Sequence, residues 1–294
     1  MATIAVVGPG AVGGTFAAHL GQVEVHRVSV CARTPFGRLQ VETPDGSVTA
    51  SPDVLVDPAQ AWPVDWVLIA VKAYDAASCA PWLEALVRAW TGVAVLQNGV
   101  EHVERFAPWV DPAQLVPVVV DCPAERLAPG TVRQRRRASC VVPDTELGRD
   151  FADLLARTPV DVETTADWTT AAWGKLCLNS VGAVSALLLQ PANVARRNDV
   201  AELVRGLVRE CIVVGRAEGA TLHDDLPEQL VERSRRASAD SVNSLHADRL
   251  AGRPLETDAR NGAIVRKGRA HGIPTPLNAA MVALLDAASA PPRG

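Results

Sequence analysis

The stretch Ile4-Ala5-Val6-Val7-Gly8-Pro9-Gly10-Ala11-Val12-Gly13 decides the fold of this chain. A short aliphatic run, typical of a buried strand, leads directly into a Gly-x-Gly-x-x-Gly turn, and a helical pattern follows over Ala11–Leu20. In such a unit Gly8 permits the tight turn, Gly10 lets the backbone approach a pyrophosphate, and Gly13 lets the helix pack against the strand. The sequence therefore predicts a Rossmann-type domain that binds a dinucleotide. The residues predicted to line the dinucleotide are Gly8, Pro9, Gly10, Ala11, Val12 and Gly13.

The end of the second predicted strand, Arg27–Cys31, indicates which dinucleotide binds. Proteins that bind NAD usually carry an acidic residue there, which hydrogen-bonds to the 2′-hydroxyl of the ribose. This chain has Arg33 instead, and a guanidinium attracts and grips a 2′-phosphate. We therefore predict NADP(H) as the cofactor. Thr34 and Arg38 are close enough in sequence to help, although Arg38 also fits a plain surface position.

Strand-like runs alternate with helical patterns through the first half of the chain, as in a parallel sheet covered by helices. Trp66–Val71 and Val93–Leu96 are typical of strands buried on both faces. We interpret Val116–Asp121 and Arg133–Val142, which flank a turn at residues 128–130, as an antiparallel hairpin at the edge of that sheet.

From Trp168 onward the strand signals stop and long helical patterns take over. We predict an α/β fold in two domains. Residues 1–166 form an NADP-binding Rossmann domain, with a parallel sheet and an antiparallel edge hairpin. Residues 167–294 form an all-α substrate-binding domain.

The composition excludes several classes of function. The chain has 294 residues, 48% of them hydrophobic, and a net charge of −4, so it lacks the basic footprint of a nucleic-acid binder. Its six cysteines are scattered without metal-ligand spacing, which predicts buried reduced thiols and no metal site. No targeting signal precedes the first strand, and no apolar run approaches the roughly 20 residues of a membrane span. We expect a cytoplasmic protein that binds neither nucleic acid nor membrane.

Two further segments have local interpretations. Arg133-Gln134-Arg135-Arg136-Arg137 fits a solvated edge strand, whose charges discourage pairing between sheets, or a patch that binds an anion or a partner. The tail Ala290–Gly294 is expected to fray.

Lys175 and Asn179 are the first candidates for chemistry. They lie four residues apart in an otherwise apolar helical segment, so they share one helix face. A partly buried ammonium can donate a proton near neutral pH, which is one reason for a lysine at such a position. The alternative is a lysine whose amine reaches solvent at the helix surface.

Two other polar residues directly follow predicted strands. Lys72 follows Trp66–Val71, and Asn98 comes shortly after Val93–Leu96. Ligands of open α/β sheets bind beyond the carboxyl ends of strands, so both residues are candidates for ligand contacts. Asn98-Gly99 also fits an ordinary turn.

Together these motifs resemble the ketopantoate reductase (2-dehydropantoate 2-reductase) family, and the resemblance runs nearly end to end. The motifs that carry it are the Gly8–Gly13 loop, Arg33, Val71–Asp75, Gln97–Val100, Trp173–Leu176 with Asn179, Ser244, Asp248, Ala251–Ala259, Asn261–Gly262 and Gly272–Pro276.

The resemblance implies NADPH-dependent reduction of a small 2-oxo acid. Lys175 is then the proton donor to the developing alkoxide, and Glu256 binds a substrate hydroxyl and orients it against the lysine. Glu256 also fits the N-terminus of a helix, where a carboxylate is favourable for structural reasons alone. The resemblance adds Lys72 and Asn98 to the cofactor-binding residues. The substrate-binding residues it implies are Asn98, Asn179, Asn193, Ser244 and Glu256.

One position departs from the family pattern. Ala183 stands where the family has a second asparagine, four residues after the first, and Val184 replaces the usual proline. The lost amide leaves open a 2-oxo acid other than 2-dehydropantoate. A 3-hydroxyacid-type dehydrogenase and an NADP(H) sensor without turnover also fit the sequence. A homodimer through the C-terminal helices is compatible with the sequence but not required by it.

Overall fold

The computed structural model describes residues 1–289, so the predicted fraying of Ala290–Gly294 lies outside the described residues. The chain divides into two compact units. The first consists of Met1–Gln97 and Glu101–Trp168, and the second of Asn98–Val100 and the chain from Thr169 onward. Asn98–Val100 therefore belongs with the helical unit, although it follows a strand of the first unit in sequence.

The first unit is built of short strands and a few helices. Its strands are β1 (Ala2–Val7), β2 (His26–Cys31), β3 (Leu39–Thr43), β4 (Gly46–Ala50), β5 (Asp53–Leu55), β6 (Trp66–Ile69), β7 (Gly92–Val95), β8 (Leu115–Pro117), β9 (Val119–Asp121), β10 (Ala124–Ala128), β11 (Thr131–Gln134), β12 (Ser139–Pro143) and β13 (Asp161–Thr165). Its α-helices are α1 (Ala11–Leu20), α2 (Ala80–Leu86), α3 (His102–Phe106) and α4 (Glu146–Leu155), and 3-10 turns cover Pro58–Gln60, Ala73–Cys79 and Pro112–Gln114.

Six strands form a fully parallel sheet in the order β5-β2-β1-β6-β7-β8. The strand order reverses beside β1, which is the position where ligands bind in sheets of this kind. Ile4 and Val6 lie in one hydrophobic cluster, and Ala5 and Val7 lie in another. The central strand is thus buried on both faces, and the predicted Rossmann-type fold is confirmed.

The predicted segments Val116–Asp121 and Arg133–Val142 do pair antiparallel, but through β9 and β12 and outside the parallel sheet. The hairpin around residues 128–130 is a different pair, whose first strand, β10, was not predicted. β10 and β11 pair around Gly130, whose φ is +74°, in a sheet ordered β10-β11-β3-β4. The edge strands of the parallel sheet are β5 and β8, and β8 pairs in parallel with β7. β9 pairs with β12 in a third sheet, β13-β12-β9. Each strand segment predicted around the hairpin was too long, because each spans two short strands with different partners.

The basic run does not form an edge strand, since β11 lies between β10 and β3. Its charges are instead neutralised one by one by acidic side chains on the surface, and exposed pairs of this kind contribute little stability. The pairs are Arg133–Glu42, Arg135–Glu125, Arg136–Asp121 and Arg137–Asp45.

The second unit is helical. Its helices are α5 (Trp168–Leu188), α6 (Asn198–Ala217), α7 (Leu226–Arg235), α8 (Ser244–Leu250), α9 (Ala263–Ala270) and α10 (Pro276–Ser289), with a 3-10 helix at Ala192–Arg196 and a π-helical turn at Asp258–Gly262. The π-helical turn runs directly into α9.

Helix α5 is the core helix of the second unit. It is long and apolar enough to cross a membrane by length and composition, with a mean hydropathy of 1.3 in its most apolar stretch. No run of this length was expected from the sequence. Trp173, Leu176 and Val184 nevertheless lie in the hydrophobic core of the unit, and 56% of the stretch is buried. This burial is typical of a core helix.

A buried polar network anchors α10 to α6. Asn278 is fully buried, donates to Glu210 at 2.8 Å and accepts from Asn261 at 2.9 Å. Glu210 also accepts from the backbone amides of Leu277 and Asn278 at the start of α10. The carboxylate thus satisfies amides that have no partner within the helix.

We predict that Asn278→Ala lowers the free energy of unfolding by about 2 to 3 kcal/mol, because it leaves buried polar groups without partners. The matched control is Asn198→Ala, which removes an exposed hydrogen bond from Arg235 and should cost less than about 1 kcal/mol. Urea denaturation followed by circular dichroism measures both. Equal losses would show that the network adds nothing.

Candidate active site

The glycine turn between β1 and α1 has the shape that a dinucleotide needs. Gly8 has φ +88°, and a Cβ there would lie 2.9 Å from the backbone nitrogen of Val71. A Cβ on Gly13 would lie 2.3 Å from the carbonyl oxygen of Gly8, so only glycine lets the helix approach this closely. A Cβ on Gly10 would meet nothing within 4 Å.

The open space at Gly10 is where a pyrophosphate fits. Gly10 is the N-cap of α1 and supplies no side-chain cap, so the first amides of the helix are available to an anion. Pro9, Ala11 and Val12 are half-buried around the same turn. The residues present therefore fit a dinucleotide.

Arg33 follows β2 and reaches into solvent. Its side chain is 74% exposed and forms an ion pair with Asp75 at 3.0 Å. A pair this exposed contributes at most about 1 kcal/mol, so a phosphate can replace the carboxylate. Lys72 caps the 3-10 turn that contains Asp75, and its carbonyl accepts from the Asp75 amide at 2.8 Å. Arg33 and Lys72 thus both lie in the first unit, on segments that follow parallel strands.

In the second unit, a chain of hydrogen bonds connects three of the predicted substrate-binding residues. Asn179 on α5 donates to the Oδ1 of Asn98 at 3.2 Å, and Asn98 donates to the Oε2 of Glu256 at 3.0 Å. Glu256 is only 3% exposed. A buried carboxylate requires such donors, since an isolated charge in the protein interior is costly. The prediction placed these residues around one ligand, and the structure joins them directly.

Gly99 sets the position of Asn98. Its φ is +107°, and a Cβ there would lie 2.6 Å from the carbonyl oxygen of Ala259 in the π-helical turn. The tight turn at Gly99 brings the Asn98 amide to Glu256. The turn interpretation of Asn98-Gly99 and its interpretation as a ligand contact are therefore compatible.

Lys175 lies one helical turn before Asn179 on α5 and is half-buried. Its neighbours Trp173 and Leu176 are buried in the core of the unit. The spacing of four residues places the amine on the face that carries the Asn179 amide.

Ser244 is the first residue of α8, and its hydroxyl accepts from the Nη2 of Arg260 at 2.8 Å. Asn243 caps the same helix and donates to the carbonyl of Gly182 at 3.2 Å, which ties α8 to α5. Asn193 is half-buried on the 3-10 helix that follows α5.

Ala183 is completely buried in the hydrophobic cluster of the second unit, together with Val181 and Val184. At this position the chain supplies apolar packing in place of the amide that the family pattern has there.

Arg260 was missed in the sequence, although it stands directly between Ala259 and Asn261 of the family motifs. Its side chain is 2% exposed. Burial lowers the pKa of the guanidinium, whereas the carboxylates of Glu256 and Asp248 raise it. The available signal was a charged residue inside the small-residue segment before α9.

The thiols and acidic groups point to no other chemistry. All six cysteines are free, and burial raises the pKa of Cys79 to about 12 and that of Cys122 to about 11, so these thiols stay protonated. Within residues 1–289, no group of three or more His, Cys, Asp or Glu side chains could hold a metal ion.

Comparison with known proteins identifies the family. Residues 4–146 match the model "Ketopantoate reductase PanE/ApbA", and residues 167–289 match its C-terminal counterpart. A 2-dehydropantoate 2-reductase of Caulobacter vibrioides is 55% identical over 289 residues, which cover 98% of this chain and 100% of the relative. The chain belongs to the ketopantoate reductase family.

Two further members of the ketopantoate reductase family support this assignment. A 2-dehydropantoate 2-reductase of Mycobacterium tuberculosis is 44% identical over 98% of this chain and 99% of its own length. The crystal structure of a family member from Ralstonia eutropha has a TM-score of 0.89 and 31% identity, and it covers 98% of both chains. The fold of this chain is thus the family fold throughout.

The glycine turn allows a test with one chemical change at two positions. We expect Gly10→Ala to weaken NADPH binding by about 10-fold or more, because its methyl group occupies the pyrophosphate space. Its melting temperature should stay within about 2 °C of wild type. Gly13→Ala should instead cost about 2 kcal/mol or more of stability, since its methyl group meets a backbone oxygen. Calorimetric titration and thermal melts measure both. A Gly10→Ala protein with normal NADPH affinity would remove the turn from the cofactor site.

A second test concerns the 2′-phosphate. Arg33→Asp should raise the Kd for NADPH by about 30-fold or more and that for NADH by less than about threefold, because a charge-assisted phosphate contact is lost. The matched control is Arg27→Asp, at the other end of the same strand, where the arginine pairs with Asp53. This control should leave both constants unchanged. Equal weakening of NADPH and NADH by Arg33→Asp would mean that Arg33 does not contact the phosphate.

Proposed function

We propose that this protein reduces 2-dehydropantoate to pantoate with NADPH in the cytoplasm, a step of pantothenate biosynthesis. The observation that carries the proposal is the hydrogen-bonded chain Asn179–Asn98–Glu256, with Lys175 one helical turn away. These residues match the family motif position by position. The relatives that are 55% and 44% identical are 2-dehydropantoate 2-reductases over their full lengths.

NADP(H) fits the open turn at Gly10 and the exposed guanidinium of Arg33. When bound, NADPH supplies a hydride to the carbonyl carbon of the 2-oxo acid. Lys175 donates a proton to the carbonyl oxygen as negative charge develops there, and its ammonium stabilises that charge beforehand. One hydride and one proton thus convert the ketone into an alcohol.

Glu256 holds the substrate. Its buried carboxylate is fixed by Asn98, and a carboxylate has enough lone pairs to accept from a substrate hydroxyl as well. A site built to bond a hydroxyl rejects analogues that lack it, because the buried carboxylate then loses a partner. Asn179, Asn193 and Ser244 are the remaining predicted substrate contacts.

Three other functions compete with this proposal. The first is reduction of another 2-oxo acid by a paralogous reductase, which Ala183 favours. The others are a 3-hydroxyacid-type dehydrogenase and an NADP(H) sensor without turnover. Arg33 and Glu256 support the reductase over the dehydrogenase. Retention of both Lys175 and Glu256 argues against a sensor, which needs neither. A panel of 2-oxo and 3-oxo acids, monitored by NADPH oxidation, separates these functions. Binding of NADPH without oxidation by any acid favours the sensor.

The partner we propose is a small 2-oxo acid, with no role for nucleic acid or membrane. A homodimer stays a prediction, and light scattering on the purified protein tests it.

Lys175→Ala should lower kcat by about 100-fold or more, which is the low end for loss of a general acid. NADPH affinity should be retained. The matched control is Lys267→Ala. It removes a lysine of α9 that pairs with Glu218 at 3.0 Å, and it should leave kcat within about twofold. NADPH oxidation at saturating 2-dehydropantoate measures the rates. A near-normal rate for Lys175→Ala would refute its role as proton donor.

A further inference from the structure

Arg260 is a charged side chain that the proposed reaction does not use. It lies in the π-helical turn before α9 and is 2% exposed. Burying a guanidinium has a large desolvation cost, which is offset only if the group meets charges and hydrogen-bond acceptors. Its Nη2 donates to Ser244, whereas its Nε has no hydrogen-bond partner within the described part of the chain.

The bond from Arg260 leaves the proton of the Ser244 hydroxyl for another partner. A hydroxyl has one donor and two acceptor positions, and the guanidinium, which can only donate, takes up an acceptor position. Ser244 is the first residue of α8, so no carbonyl of the same helix precedes it to accept its proton. The residue is exposed. Its O–H is therefore available to an acceptor that arrives from outside, and the cation behind it strengthens that bond.

Two carboxylates near Arg260 provide an alternative explanation, in which the guanidinium is only their counter-ion. Asp248 already has an arginine of its own, since the Nε of Arg253 donates to it at 2.8 Å. Glu256 accepts from Asn98. The hydrogen bond from Arg260 goes to a neutral hydroxyl at an exposed position, which is an arrangement suited to a ligand.

A 2-oxo acid carries a carboxylate next to its carbonyl group. We infer that Arg260, acting through the Ser244 hydroxyl, positions and recognises this carboxylate and so selects acids over uncharged carbonyl compounds. The inference rests on the proposed function. It makes Arg260 a positioning residue that supplies charge to the carboxylate end of the substrate, while Lys175 acts at the carbonyl oxygen.

The test compares a 2-oxo acid with its carboxamide, which keeps the shape and loses the charge. Full-length wild type, Arg260→Gln and Ser244→Ala are assayed by NADPH oxidation with both compounds. We expect Arg260→Gln to lower kcat/KM for the acid by about 10- to 100-fold, mainly through KM, and that for the carboxamide by less than about threefold. Arg260→Lys, which keeps the charge, should retain the preference for the acid.

This chain offers a control variant, and a double variant shows whether Arg260 and Ser244 act together. Arg266→Gln removes a nearby arginine that pairs with Asp258 on the surface. It should leave kcat/KM unchanged for both the acid and the carboxamide. If Arg260 acts through Ser244, then Arg260→Gln added to Ser244→Ala should cost less than about threefold more for the acid. Far-UV circular dichroism, whose helical signal comes mainly from the second unit, reports whether each variant is folded.

Equal losses for the acid and the carboxamide in Arg260→Gln overturn the inference, because a structural role affects both. If Arg260→Gln does not fold, Arg260→Lys decides, and a folded Arg260→Lys protein that loses its preference for the acid overturns the inference. A wild type that oxidises no NADPH with any 2-oxo acid defeats the proposed function instead. If the wild type reduces the acid but the Arg260 variants lose the same factor with the acid and the carboxamide, only the role of Arg260 is refuted.

Discussion

The hydrogen bond from Asn98 to the buried carboxylate of Glu256 is the interaction on which the site depends. A charge that is 3% exposed must be held by donors, and Asn98 reaches it only because Gly99 adopts a positive φ against Ala259. This contact also explains why residues 98–100 belong to the helical unit. A single turn after β7 thus contributes directly to the proposed substrate site of the second unit.

The two units divide the chemistry by the physical properties of their secondary structure. Strand β1 of the parallel sheet leads into a glycine turn whose helix amides suit a pyrophosphate, so the first unit suits an anionic cofactor. The helical unit presents amides, a carboxylate and an amine from α5, α8 and the segments around the π-helical turn, and these are the groups proposed to bind the substrate. π-helical turns are common at functional sites, and here the turn carries the buried Arg260.

Much of this organisation was predictable. The Gly8–Gly13 loop, the alternation of strands and helices, and the spacing of Lys175 and Asn179 follow from local rules, and family resemblance added Glu256 and Ser244. The sequence did not correctly predict the second and third sheets. Their strands are three to five residues long, and pairing partners are set by long-range contacts. The basic run was misplaced for the same reason, since local sequence does not show that β11 has a neighbour on each side.

The sequence by itself indicated the fold class and the cofactor, because the glycine loop, the alternation of strands and helices and Arg33 are local features of the chain. Only the tertiary structure decided that Asn98 and Glu256, 158 residues apart, share a hydrogen bond. It also showed that Ala183 is part of the core and that Arg260 is buried against Ser244. Burial and hydrogen-bond partners depend on which segments pack together, and that information is not local to any motif.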